Sequence, residues 1–249
     1  MLFVNRSTPA TRSRSWTAFL VFILVSWLMA MAQLRSDSLA EYSNVCTPLQ
    51  DLGFSWIPEA RHLVWQTTTF YANIADVWIV VTYVLFTLVL VPFCTTTPWK
   101  YKTRFTWCLT FTFVLRTLTL LCTRYPKFPG VNAAYTLSSS AEYPWAAVLI
   151  LLGVRTTQTD YMFSGHVVGW TLTALFYWRY KLTATGVGTV VGVVFWLFNV
   201  TGILLLIAVR EHYTADVVVA AAVAGLTYHV YHLALMVDSK KGGFIQWID

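Results

Sequence analysis

The stretch TGVGTVVGVVFWLFNVTGILLLIAV, residues 185–209, contains no charged side chain. A bilayer core of about 30 Å is crossed by about 20 apolar residues in a helix. The stretch is therefore long enough to cross a membrane. A short polar segment separates it from a second apolar run at residues 215–237. These two runs predict successive membrane-spanning helices.

Four further apolar runs precede this pair, at residues 16–34, 74–94, 105–123 and 161–178. Only 11% of the chain is charged and 57% is hydrophobic, whereas soluble domains are usually about 25% charged. We therefore predict an all-α polytopic membrane protein of six transmembrane helices, forming one domain over residues 1–249. The apolar stretch at residues 144–154 is too short to cross, and we interpret it as re-entrant or interfacial.

The distribution of Lys and Arg predicts the orientation of these helices, since positive residues are retained near cytoplasmic span ends. With a cytoplasmic N terminus, ten Lys and Arg residues fall on the cytoplasmic side and six on the opposite side, in longer loops. Both termini are therefore expected to be cytoplasmic. The net charge of +6 comes mainly from these flanks. This charge is expected to interact with anionic lipids of the membrane leaflet, and we expect no nucleic-acid partner.

Two polar segments interrupt the apolar pattern, DYMFSGH at residues 160–166 and EHYTAD at residues 211–216. An ionisable group at membrane depth costs roughly 2.5–3.5 kcal/mol or more, so such groups usually serve a function. In the predicted topology both segments lie at the lumenal or exterior face. We expect them to form one site.

The residue types in these segments favour phosphoryl transfer. His212 and Asp216 are four residues apart, so in a helix they share one face and the carboxylate can orient the imidazole. His212 is then the candidate nucleophile, and His166 the candidate proton donor and acceptor. Ser164 and Gly165 precede a helix start, where amides can bind phosphate.

Two other interpretations of the polar segments stay open. The polar residues could satisfy one another inside a helix bundle, as intramembrane polar groups often do. Alternatively, a zinc ion could be bound by His166, His212, Asp216 and Asp160, although the spacing does not require it. We expect no metal and no cofactor.

Four segments together resemble the sphingomyelin synthase family, within the lipid phosphate phosphatase-like superfamily. HYTADV at residues 212–217, with Tyr-His at residues 231–232, resembles the last signature of that family, and DYMFSGH resembles the preceding one. The segment from Arg116 to Gly130 is similar to its third-span pattern, and PLQD at residues 48–51 to its first-loop motif. The resemblance covers residues 48–232.

The resemblance implies transfer of phosphocholine from phosphatidylcholine to ceramide, giving sphingomyelin and diacylglycerol. In the expected mechanism His212 forms a phosphohistidine, His166 transfers protons, and Asp216 orients His212. Differences from the family motifs leave diacylglycerol as an alternative acceptor and ethanolamine as an alternative head group. A lipid phosphate phosphatase and a non-catalytic lipid-binding or transport bundle are further alternatives.

Six residues are expected to bind substrate: Asp160, Ser164, Gly165, Arg116, Tyr213 and Glu142. Arg116 could clamp the phosphate or form a salt bridge within the bundle, and these interpretations are equally supported. Glu142 could assist proton transfer, or it could be a solvated loop carboxylate. The aromatic and histidine residues at 228, 229, 231 and 232 are expected to form an interfacial belt.

The expected partners are a phospholipid donor and a ceramide or diacylglycerol acceptor in the membrane. The candidate site is predicted to face the lumen or exterior of the Golgi, endoplasmic reticulum or plasma membrane. The sequence leaves the oligomeric state open, a homo-oligomer included. A disulfide between Cys46 and Cys122 is also left open, because spacing alone does not establish its geometry.

Overall fold

The computed structural model describes residues 9–40, 50–66, 71–91, 98–123, 140–151, 162–180 and 186–238. Its helices are α1 (Pro9–Ala40), α2 (Leu52–Trp56), α3 (Ile74–Val84, continued by a π-helical segment Leu85–Leu90), α4 (Pro98–Cys122), α5 (Tyr143–Leu151), α6 (Gly165–Tyr180), α7 (Gly186–Ala208) and α8 (Thr214–Asp238). Two short antiparallel strands, β1 (Val64–Gln66) and β2 (Tyr71–Asn73), precede α3.

Four of the described helices are long and apolar enough to cross a membrane, namely α1, α4, α7 and α8. An all-α polytopic membrane fold is therefore confirmed. Helices also lie at the other two predicted spans, but α3 with its π-helical segment covers residues 74–90 and α6 covers only 16 residues. A 16-residue helix is about 24 Å long, which is shorter than the bilayer core.

The short helix α6 forms the centre of the bundle. It packs against α3, α4, α7 and α8, and nine of its residues are buried. Its polar groups find partners on neighbouring helices: Trp170 Nε1 donates to Thr82 Oγ1 of α3, and Asn199 Nδ2 of α7 donates to the Trp170 carbonyl oxygen. Gly202 of α7 leaves room for the Trp170 ring. Surrounding helices can thus satisfy polar groups that lipid could not.

Helix α1 packs along α4 in the same direction. Ser15 bonds Thr103 near the start of both helices, at 2.6 Å between the hydroxyl oxygens, and Phe22 contacts Phe113 further along. The short helix α5 packs on the second half of α1, where Trp27 donates to the Pro144 carbonyl oxygen. Its nine residues agree with the prediction that this segment is too short to cross.

The prediction of an interfacial belt near the end of α8 is wrong for three of the four residues. Tyr228, Tyr231 and His232 are buried, and only His229 is exposed. His232 Nδ1–H donates to the Tyr228 carbonyl oxygen, and Tyr180 OH lies 2.8 Å from His232 Nε2. The imidazole of His232 therefore bonds to neighbouring groups inside the bundle instead of reaching the interface.

Candidate active site

The starts of α3, α6 and α8 meet with the end of α7 at one end of the bundle. His166, the second residue of α6, approaches Asp76 near the start of α3, with 3.1 Å between His166 Nε2 and Asp76 Oδ1. Because a carboxylate only accepts, Nε2–H is the donor. These residues are 90 positions apart in the chain. The contact therefore depends on helix packing.

Asp76 is held rigidly by the start of its own helix. Asn73 and Asp76 form a capping box: the Asn73 side chain accepts from the Ala75 and Asp76 amides, and Asp76 Oδ2 accepts from the Asn73 amide at 2.9 Å. Such reciprocal bonds satisfy amide groups that a helix start leaves open. One carboxylate oxygen thus caps α3 and the other contacts His166.

Glu211 joins the two polar segments. Asn73 Nδ2 donates to Glu211 Oε2 at 2.9 Å, and Asn73 is fully buried. One ligand atom each of Asp76, His166 and Glu211 lies within 4.8 Å of the others. Because Glu211 immediately precedes His212, the second polar segment lies beside the first.

Arg116 reaches the same place from α4. It is only 5% exposed, and its guanidinium lies against the backbone of Gly165, where an added methyl group would overlap Nη1. It also interacts electrostatically with His166, as do Asp76 and Glu211. Glycine at position 165 is therefore needed for close approach of a cation to the first turn of α6.

His212 lies just before α8, which begins at Thr214. The spacing of four residues predicted that His212 and Asp216 share a helical face. Because His212 lies outside the helix, they do not. Asp216 Oδ2 accepts from the Tyr213 amide at 3.1 Å and lies 3.7 Å from His212 Nδ1. Both side chains are buried. The carboxylate thus caps α8 and faces the imidazole at ion-pair distance.

The first-loop residue Asp51 also acts at the start of α8. Its Oδ1 accepts from the Phe54 amide and the Thr214 hydroxyl, and its Oδ2 accepts from the Thr214 amide at 2.6 Å. Arg210 donates to the Phe54 carbonyl oxygen, and the Phe54 ring stacks on Tyr213 at 5.7 Å. The segment around α2 is thereby fixed next to the second histidine.

Asp76, His166 and Glu211 are the described residues whose spacing could hold a metal ion. The donor set of one nitrogen and two carboxylates suits several divalent metals. It differs from the zinc alternative drawn from the sequence, which grouped His166 with His212, Asp216 and Asp160. The nearby Arg116 guanidinium would repel a metal cation at this position.

The other residues singled out in the sequence lie at different places in the structure. Ser164 is buried, and its Oγ accepts from the Val167 amide at 3.4 Å, so it caps α6. Glu142 is exposed at the start of α5, which packs chiefly against α1. Asp160 and Cys46 lie outside the described residues, so their roles stay predictions. Cys122 is exposed at the end of α4.

Sequence reasoning missed Asp76 and assigned no role to Glu211. Asp76 was nonetheless visible as an acid two residues into an apolar run, and acids at such positions are rare without a partner. Glu211 belongs to the second polar segment, but the part of that segment that resembles the family signature begins at His212. Glu211 therefore gave no signal of its own.

Two comparisons with known proteins bear on this site. The family model described as PAP2 superfamily C-terminal matches residues 158–233, which include both histidines. The rat protein phosphatidylcholine:ceramide cholinephosphotransferase 2 is 30% identical over 126 residues. That match covers 43% of this chain and 31% of the rat protein. The chain thus aligns with about a third of this relative's length.

These findings define the class of the protein. Apolar helices long enough to cross a membrane, with a polar site at one end of the bundle, define an integral membrane protein, and the PAP2 match covers the part of the chain that carries both histidines. The resemblance to the sphingomyelin synthase family, within this superfamily, is confirmed by both comparisons.

Proposed function

We propose that this protein transfers phosphocholine from phosphatidylcholine to ceramide, giving sphingomyelin and diacylglycerol. The observation that carries the proposal is the approach of the two polar segments, with His166 between Asp76 and Glu211 and with His212 next in the chain. The likeness to a relative named for this reaction supports the choice of donor and acceptor.

In the first step, His212 Nε2 attacks the phosphorus of the donor. The bond from phosphorus to the diacylglycerol oxygen breaks, and His166 gives that oxygen a proton. Since Nε2 of His166 is bonded to Asp76, Nδ1 is the atom that transfers the proton. Diacylglycerol leaves, and the head group is held as a phosphohistidine.

In the second step, His166 takes the proton of the ceramide hydroxyl, and the resulting oxygen attacks phosphorus. The phosphorus–nitrogen bond breaks and His212 is restored. Asp216 orients His212, and Arg116 with the first turn of α6 stabilises charge on the phosphoryl oxygens. Asp160, Ser164, Tyr213 and Glu142 are proposed to bind substrate.

The proposed topology has six crossings, cytoplasmic termini and a lumenal or exterior site. It is supported by the position of the starts of α3, α6 and α8 and the end of α7, which lie at one end of the bundle. Successive crossings in alternating directions require this arrangement. A site at that face draws both lipids from a single leaflet.

The proposed reaction is tested by mass spectrometry of lipids after purified protein is incubated with phosphatidylcholine, phosphatidylethanolamine, ceramide and diacylglycerol. We expect sphingomyelin and diacylglycerol to form together and only when ceramide is present. Free phosphocholine without ceramide would indicate a hydrolase, and choline exchange onto diacylglycerol would indicate the alternative acceptor. Unchanged lipids would contradict an enzyme. Protein with His212→Ala serves as the blank.

Asp76→Asn is expected to lower kcat roughly 100-fold, the lower end of the effect of general acid–base catalysis. The amide keeps the shape of the side chain but cannot hold a charged His166 in place. KM is expected to change little, because Asp76 contacts the histidine and not the lipid. Steady-state kinetics with a fluorescent ceramide measures both constants.

The matched control is Glu59→Gln, which neutralises an exposed carboxylate in the segment that precedes β1 and α3. Its kinetics should equal those of the parent protein. If Asp76→Asn keeps a parental kcat, or loses activity through KM alone, Asp76 does not position the proton donor.

A further inference from the structure

An apolar cavity of about 590 Å³ lies between the start of α1, the end of α3 and the first half of α4. We call it the α1–α3–α4 cavity. Its walls are mainly aromatic and aliphatic, and they include Phe19, Phe86, Tyr101, Phe105 and Leu109. Ligand sites commonly measure about 300–1,000 Å³. Most of this lining offers no polar partner to water, so the cavity favours an apolar occupant.

The cavity lies toward the end of the bundle opposite the candidate active site. On α3 its lining begins at Tyr83 and reaches Val91, which is about 10 to 22 Å from Asp76 along the helix axis. On α1 its lining begins at Ser15, which is bonded to Thr103 near the start of α4. A lipid entering the cavity would thus carry its head group at the far membrane face.

The charge of the cavity lining indicates which lipid head group fits there. Lys102 lines the cavity, is exposed and holds its ammonium 5.6 Å from the Trp99 ring. Among the residues that the structure describes, the lining includes no acid. Trp16 and Trp99 also line the cavity near the starts of α1 and α4, and tryptophan favours the level of lipid head groups. An anionic head group complements this edge, and a zwitterionic one does so less well.

We propose that the α1–α3–α4 cavity binds one hydrocarbon chain of an anionic membrane phospholipid, with its phosphate next to Lys102. This lipid is not a substrate of the head-group transfer proposed above. It belongs to the opposite leaflet, and its binding does not depend on that activity.

The inner wall connects the occupant to the site. The Tyr83 hydroxyl lies against Gly169, three residues after His166, and Phe113 lies three residues before Arg116. A chain that packs on these two rings supports the helices carrying the proton donor and the guanidinium. A lipid that binds the folded state and not the unfolded state also raises the thermal stability of the protein.

The test is native mass spectrometry of the full chain, delipidated in detergent and titrated with phosphatidylglycerol or phosphatidylcholine of the same chains. We expect one phosphatidylglycerol bound with an affinity about fivefold higher than that of phosphatidylcholine, the effect of one lysine near an anionic head group. Lys102→Glu should remove this preference. Lys100→Glu, an exposed residue outside the lining, should retain it.

A second pair of variants tests the cavity itself. Thr106→Trp places a large ring among the lining residues and should abolish binding of both lipids, whereas Leu115→Trp, on the exposed face of α4, should not. A thermal unfolding midpoint close to that of the parent shows that Thr106→Trp folds. Equal affinity for both lipids, or binding retained in folded Thr106→Trp, would overturn the proposal.

Discussion

Replacing His212 by alanine is expected to lower head-group transfer by at least roughly 10³-fold, because in the proposed mechanism His212 forms the covalent bond to phosphorus. His212 is 4% exposed and lies against the carboxylate of Asp216. Loss of its ring therefore removes both the nucleophile and the partner of a buried acid. The measurement is sphingomyelin formation by purified protein in mixed micelles.

The buried position of His212 requires a control for folding. His212→Gln keeps a polar side chain of similar size beside Asp216, so it should retain the thermal unfolding midpoint of the parent while losing activity to the same extent. His229→Ala removes an exposed ring from α8, the helix that follows His212, and should leave activity unchanged. Activity above a few per cent in folded His212→Gln would exclude His212 as nucleophile.

Replacing His166 by alanine is expected to separate two donors that differ only in their leaving group. Phosphatidylcholine needs a proton on the departing diacylglycerol, whereas a nitrophenyl phosphocholine ester leaves without one. His166→Ala should therefore form the phosphohistidine from the nitrophenyl ester at close to the parental rate. From phosphatidylcholine we expect a rate lower by roughly 10²–10⁴-fold.

The intermediate is measured by trapping labelled protein after rapid mixing with each donor. His212→Ala is the control, since it should give no labelled protein from either donor. Equal impairment of His166→Ala with both donors would show that His166 binds phosphate or supports the fold. A loss confined to affinity would lead to the same conclusion.

Much of the fold was predictable because the bilayer limits the chain to a few solutions. Helices occur at all six predicted spans, and the described part of the apolar stretch predicted at residues 144–154 lies in the nine-residue helix α5. The central position of α6 was not predictable. It depends on packing against α3, α4, α7 and α8, which residues 161–178 do not indicate by themselves.

The candidate site was predictable in its histidines and not in their partners. His166 and His212 stood out as ionisable groups at the ends of apolar runs. Asp216 was expected to share a helical face with His212, but the helix begins later and the carboxylate caps it. Asp51 was noted only for its motif, and its bonds to Thr214 came from the structure.

By itself, the sequence determined the membrane class, the approximate positions of the helices and the two polar segments that form the candidate site. Apolar length and local spacing are sufficient for these, since backbone groups in lipid must be satisfied within a helix. Only the tertiary structure decided that Asp76 holds His166 and that Asn73 holds Glu211. These pairs are 90 and 138 residues apart, and helix packing alone brings them together.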